Sequence, residues 1–189
     1  MPKTSLIIIV IITIVYMFFV TGIDSRTKFP DSTTKAVLDD CLQYTNTVRA
    51  KHGSPKVKYT ADLNKYAKER CAFMSEGTGL ANKHKNLRED VGENIYRAVG
   101  GQKVQACKHA IKNWYSEIQF YDFKKAVFVP KAGHFTQLIW AESTEMGCCR
   151  SMLAPDSKKP NRVELYIVCI YKVAGNVKGE YAKMVKKPK

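Results

Sequence analysis

Much recognisable site chemistry is missing from this chain. No C-x-x-C pair occurs, which removes zinc-knuckle and thioredoxin-like redox readings. No H-E-x-x-H or G-x-S-x-G motif occurs either, so zincin and α/β-hydrolase machinery is absent. There is no Asn-x-Ser/Thr sequon to mark glycosylation. Acidic residues are scarce, 17 against 31 Lys plus Arg, for a formal charge of +14. Such a balance suits an anionic membrane or a glycosaminoglycan as partner, with plain solvation of scattered lysines as the competing and simpler reading; no base-reading motif supports nucleic acid. Internal repeats and low-complexity tracts are lacking, and at 189 residues with 45% hydrophobic content one compact domain is expected.

What is present begins with a leader. Lys3 precedes an apolar run at residues 6–20, and Val20-Thr21-Gly22 is a small-residue cleavage pattern. As a helix that run rises about 22 Å, short of the roughly 30 Å hydrocarbon core. Residues 1–22 are therefore expected to be a signal peptide, with a membrane anchor as the alternative, and the product to be secreted and extracellular. The leader carries only Lys3, so the basicity belongs to the domain. All six cysteines follow the leader, and an even number in a secreted chain favours disulfides, with fifteen connectivities open.

Residues 23–34 are polar. Val37, Cys41, Tyr44 and Val48 then recur at helical spacing, with Ser32, Thr33 or Thr34 as N-cap and Gly53 as terminator. A second helix is expected from a cap at Asp62, with Leu63, Tyr66, Ala67, Arg70, Cys71 and Met74 along one side until Gly77 and Gly79. A third, of about 17 residues, is opened by Gly100-Gly101 and carries Val104, Cys107, Ile111, Trp114 and Ile118, with Glu117 on its flank. Residues 80–99 between them are expected as a loop containing His84, Glu93 and Asn94. Residues 146–152 and 163–171 form a hairpin across a turn at 155–161. Periodicity alone makes residues 134–140 a strand. Helices followed by a hairpin indicate an α+β layered domain. A basic tail at 182–189, with Lys183, Lys186, Lys187 and Lys189, is expected to fray into solvent.

Gly133-His134-Phe135-Thr136-Gln137-Leu138-Ile139-Trp140 resembles the first signature of the CAP superfamily, which groups cysteine-rich secretory, antigen 5, pathogenesis-related class 1 and venom-allergen-like proteins. Arg49-Ala50-Lys51-His52-Gly53, Gly92-Glu93-Asn94-Ile95 and Trp114-Tyr115-Ser116-Glu117 agree in order. Tyr166-Ile167-Val168-Cys169-Ile170-Tyr171 resembles the second signature, with Ile170 in place of a polar residue and Val173 in place of a proline. The resemblance implies a CAP domain over residues 35–181, an α-β-α sandwich with a three-stranded antiparallel sheet between helical layers, and a short helix at His134.

The resemblance also implies a cleft lined by His84, Glu93, Glu117 and His134, fit to hold zinc or another divalent cation. Two neutral imidazoles can bind zinc at about 2.0–2.1 Å while carboxylates orient them. The competing reading is a satisfied hydrogen-bond network fixing a loop to a helix. A second implied function is lipid or sterol binding by residues 120–130, through Phe120, Tyr121, Phe123, Val127 and Phe128. The competing reading there is that these side chains cap the core. For the cysteines the resemblance implies Cys148 with Cys169 and Cys71 with Cys149, which leaves Cys41 and Cys107. Function is expected to be non-enzymatic binding of a lipid, a sterol or a receptor protein. A metal-dependent hydrolase using the cleft, or an interaction scaffold with a vestigial cleft, are the alternatives.

Overall fold

A computed structural model of the protein describes residues 28–75, 80, 83–100, 106–153 and 163–189. The leader, Gly77, Gly79, Gly101, Val104 and the hairpin turn at 155–161 lie outside the described residues. Among the described residues no helix is long and apolar enough to cross a membrane.

Helix α1 (Lys35–Lys51) starts where Thr34 Oγ1 accepts the Val37 N–H at 3.3 Å, which satisfies one otherwise orphaned donor. Its last turn carries Arg49 and Lys51, favourable against the negative end of the helix dipole. It closes at Gly53, whose φ of +67° is the left-handed conformation a helix C-terminus often needs. After the short strand β1 (Lys58–Tyr59), helix α2 (Ala61–Ser75) begins two residues earlier than a cap at Asp62 implies. Thr60 is its cap, through Oγ1 to the Leu63 N–H at 3.3 Å, and Asp62 sits in the first turn.

The expected loop at 80–99 is corrected in its second half. Val91–Gly100 is a ten-residue strand, β2, paired antiparallel along its whole length with β4 (Val163–Lys172). Gly92, Glu93 and Asn94 are weak strand formers, so tertiary pairing overrides local preference. Helix α3 (Cys107–Ser116) ends earlier than expected, and Glu117–Phe120 forms a 3₁₀ turn. Residues 133–139 form helix α4 (Gly133–Ile139), not the strand that periodicity suggested. Strand β3 (Glu145–Leu153) and helix α5 (Tyr181–Met184) complete the chain.

The sheet order is β1-β3-β4-β2, a three-stranded antiparallel core of β3, β4 and β2 with β1 added parallel at one edge. Central β4 is buried on both faces with a period of two, as a strand between two layers must be. Leu165, Ile167, Cys169 and Tyr171 join a core with α1, α3 and α4; Tyr166, Val168 and Ile170 join another with Leu63, Ala67, Cys71 and Met74 of α2. The molecule is thus an α-β-α sandwich. Adjacent Cys148 and Cys149 point into opposite layers, and the disulfides are Cys148–Cys169, Cys71–Cys149 and Cys41–Cys107.

The basic tail does not fray. Met184 and Val185 are buried, the Lys189 N–H donates to Lys51 O at 2.8 Å, and His52 Nδ1 lies 2.6 Å from Lys186 O. A carbonyl only accepts, so Nδ1 carries the proton, and Nε2 is left to meet the Tyr115 hydroxyl at 3.3 Å.

Candidate functional site

Two histidine–glutamate pairs meet at one cleft of about 660 Å³, which His84, Glu93 and His134 line, while Glu117, expected in the lining, touches it only through its contact with His134. In the first, Glu93 projects from β2 with its side chain fully buried. Arg70 of α2 grips it through Nε to Oε1 at 2.6 Å and Nη2 to Oε2 at 3.3 Å. From the other side, Oε2 accepts the His84 N–H at 3.1 Å and meets His84 Nδ1 at 3.0 Å. His84 has φ +58°, a left-handed conformation that costs a residue bearing a Cβ about 1–3 kcal/mol. Two contacts to one carboxylate oxygen hold it there. Burial alone pushes the Glu93 carboxyl up, but the hydrogen bonds from His84 and Arg70 outweigh it and hold the group below the usual carboxylate range.

In the second pair, Glu117 Oε1 meets His134 Nδ1 at 2.7 Å, and its Oε2 accepts the N–H groups of His134 and Phe135 at 3.0 and 3.1 Å. Glu117 therefore serves as the missing cap of α4, whose own cap position, Ala132, has no side-chain acceptor. The Trp114 ring lies nearly parallel to His134 at 6.2 Å, and Asn94 Nδ2 donates to His134 O at 3.0 Å. Each imidazole meets a carboxylate through Nδ1, so Nε2 is the nitrogen left to a ligand. Both rings line the cleft, His84 with 48% and His134 with 36% of the side chain exposed.

The cysteine-rich secretory protein (CAP) family model matches residues 42–171. The chain belongs to the CAP family. It is 34% identical over 161 residues to human GLIPR1-like protein 1, covering 80% of this chain and 64% of that one. It is 30% identical over 149 residues to human Golgi-associated plant pathogenesis-related protein 1, covering 79% and 90%. So it spans just under two thirds of the first relative's length and nearly all of the second's. Among solved structures, one of NaASP2 with Zn2+ superposes with a TM-score of 0.60 at 21% identity, covering 85% of this chain and 91% of that one. The Schistosoma mansoni venom allergen-like protein 4 gives 0.54 at 19%, covering 82% and 97%. The fold is shared with both.

In this CAP protein the residues of the 120–130 segment divide. Phe120, Val127 and Phe128 are about half exposed, and Phe128 lines the cleft. Tyr121 is corrected to a core residue, because its ring is buried against Phe123, Phe135 and Tyr181. Phe123 is half-buried and stacks on His52.

Arg70 was legible only as a charge on the apolar side of α2; its role depends on where β2 brings Glu93. Gln137 lies within the first signature stretch, but nothing local shows its partners. Its Oε1 accepts the Gly175 N–H at 2.7 Å and its Nε2 donates to Ser143 Oγ at 3.2 Å, which joins α4 to the segment after β4. Ser143 is fully buried and donates in turn to Val173 O, which ties the end of α4 to the backbone just after β4. Arg49 from the Arg49-Ala50-Lys51-His52-Gly53 stretch is likewise structural. Its guanidinium is fully buried and donates to Pro55, Leu138, Trp140 and Ser143 carbonyls, and burial lowers its pKa to about 10.

Proposed function

We propose that this CAP protein is a secreted, non-enzymatic binding protein whose cleft takes a divalent cation of zinc's kind on Nε2 of His84 and His134. The carrying observation is the pair of Nδ1–carboxylate contacts, 3.0 and 2.7 Å, within one cavity. A carboxylate on Nδ1 fixes the tautomer and raises the basicity of Nε2, the usual outer arrangement of a metal-binding histidine. The donor set fits zinc. Among the described residues the one gathering of three His, Cys, Asp or Glu ligand atoms is Cys41, Cys148 and Cys169, all in disulfides. The cation would therefore have two protein ligands, with its other positions open to water or a ligand. The zinc carried by the structurally similar NaASP2 is consistent with this reading.

The same geometry disfavours the hydrolase. A general base works best with a pKa near the operating pH, and Glu93 is held low with its oxygens occupied by Arg70 and His84. Zinc titration by calorimetry tests the proposal. Wild type should bind and His84→Ala with His134→Ala should not; unchanged affinity in the double variant would overturn it.

A second reading, lipid or sterol binding, is favoured by the half-exposed Phe120, Val127 and Phe128, of which Phe128 lines the cleft. Phe120→Ala with Phe128→Ala should lose binding of a fluorescent sterol while keeping the far-UV spectrum. Retained binding would place the ligand elsewhere. Secretion is checked by the N-terminus of protein recovered from medium, expected at Ile23.

A further inference from the structure

The tail and the 120–130 segment are far apart in sequence, and the fold brings them to one face. His52, at the end of α1, joins them: its ring stacks on Phe123 and its Nδ1–H holds Lys186 O. Lys187 thereby lies beside Lys124, and both border a shallow depression of about 410 Å³ with Phe120. Lys131 Nζ sits 5.8 Å from the Phe120 ring centroid, and Lys51 Nζ 5.3 Å from that of Tyr115. The Lys189 N–H is bonded to Lys51 O, with its side chain laid over Gly53. Asp122 is the acid among these residues, and its Oδ1 already accepts the N–H groups of Lys124 and Lys125 at 2.8 and 3.3 Å.

We propose that this face, with Lys51, Lys124, Lys131, Lys187 and Lys189 around half-exposed Phe120, docks on an anionic lipid bilayer. Cations alone would suit a sulfated glycan equally well. The exposed ring among them decides between the two, because a bilayer interface accepts both an aromatic side chain at headgroup depth and lysines against lipid phosphates or carboxylates.

The test is co-flotation of protein purified from medium with phosphatidylcholine vesicles, with and without about a third phosphatidylserine. Wild type should float only with the anionic vesicles and release as salt rises, since the Debye length shrinks from about 10 Å at 0.1 M to about 3 Å at 1 M. Lys124→Glu with Lys187→Glu should lower partitioning by about tenfold or more, and Phe120→Ala should weaken what persists at high salt. Lys35→Glu with Lys68→Glu, an equal charge change remote from the face, should float like wild type. Failure of wild type to float, equal loss in both lysine pairs, or heparin retention without vesicle binding would each overturn the proposal. The His84→Ala, His134→Ala protein should float normally, so this result and the zinc result fail separately.

Discussion

Replacing Arg70 by Met isolates the charge that holds the first histidine–glutamate pair. Met keeps most of the aliphatic volume, so little cavity is opened and the guanidinium is what goes. The Arg70 side chain is 5% exposed and that of Glu93 is fully buried, so water cannot take over the lost contacts. Removing one partner of a buried pair costs about 3–5 kcal/mol, because the other charge stays behind uncompensated. The lost hydrogen bond from Nη1 to Lys85 O, 2.7 Å, adds to this on the segment that carries His84. By contrast Arg88 pairs with Asp62 and Asp90 at the surface, where such pairs contribute about 0–1 kcal/mol. The assay is urea unfolding of the oxidised protein followed by tryptophan fluorescence, since Trp114 and Trp140 are both fully buried. Arg70→Met should lose at least about 3 kcal/mol, which for a domain of this size lowers Tm by roughly 6 °C or more. Arg70→Met with Glu93→Met should be no worse than the single variant, because the stranded charge is gone. An Arg70→Met protein within about 1 kcal/mol of wild type, indistinguishable from Arg88→Met, would refute the assignment of Glu93 as a buried, arginine-held carboxylate.

Further outcomes follow from the same geometry. A Cβ on Gly147 would stand 2.1 Å from the backbone carbon of Leu63 on α2, a helix pinned beside it by Cys71–Cys149, so Gly147→Ala should cost about 3 kcal/mol or more by urea midpoint. Gly133→Ala, meeting only Phe128 Cε2 at 3.6 Å, should be within about 1 kcal/mol of wild type. Burial lowers the His52 pKa, the Lys186 carbonyl opposes this and Lys51 adds to the lowering, so the unfolded chain takes up that proton first as pH falls. Stability from this group is present above about pH 6.5 and lost below it, and His52→Gln should flatten that part of a urea-midpoint pH profile. Of the disulfides, Cys71–Cys149 closes 78 residues and Cys148–Cys169 only 21, so loop entropy makes replacing the former by Ala pair cost about 1 kcal/mol more in unfolding experiments. Equal costs would argue that packing, not chain entropy, sets the difference.

How much of this was legible depends on whether the signal was local. A cap among Ser32, Thr33 and Thr34, the apolar stripe of α2 and the apolar run of β4 are each displayed by one short segment by itself. Strand β2 was not legible, because Gly92, Glu93 and Asn94 have little strand preference and the pairing that makes them a strand lies on β4, about 75 residues away. Residues 133–139 misled periodicity for a related reason. Their helix is capped by Glu117, a carboxylate from another element.

The layered α+β class, and the placement of adjacent Cys148 and Cys149 on opposite faces, can be read from the chain alone, because both are consequences of backbone period. Motif resemblance added Glu93, Glu117 and His134 as a group. Which partner each would meet is set by the packed fold: Arg70 and His84 on Glu93, Glu117 on the start of α4, and the lysine tail folded back through His52 beside Phe120. Those contacts form between segments distant along the chain. Their geometry is fixed by the packing of whole helices against the sheet, and no local run of residues contains it.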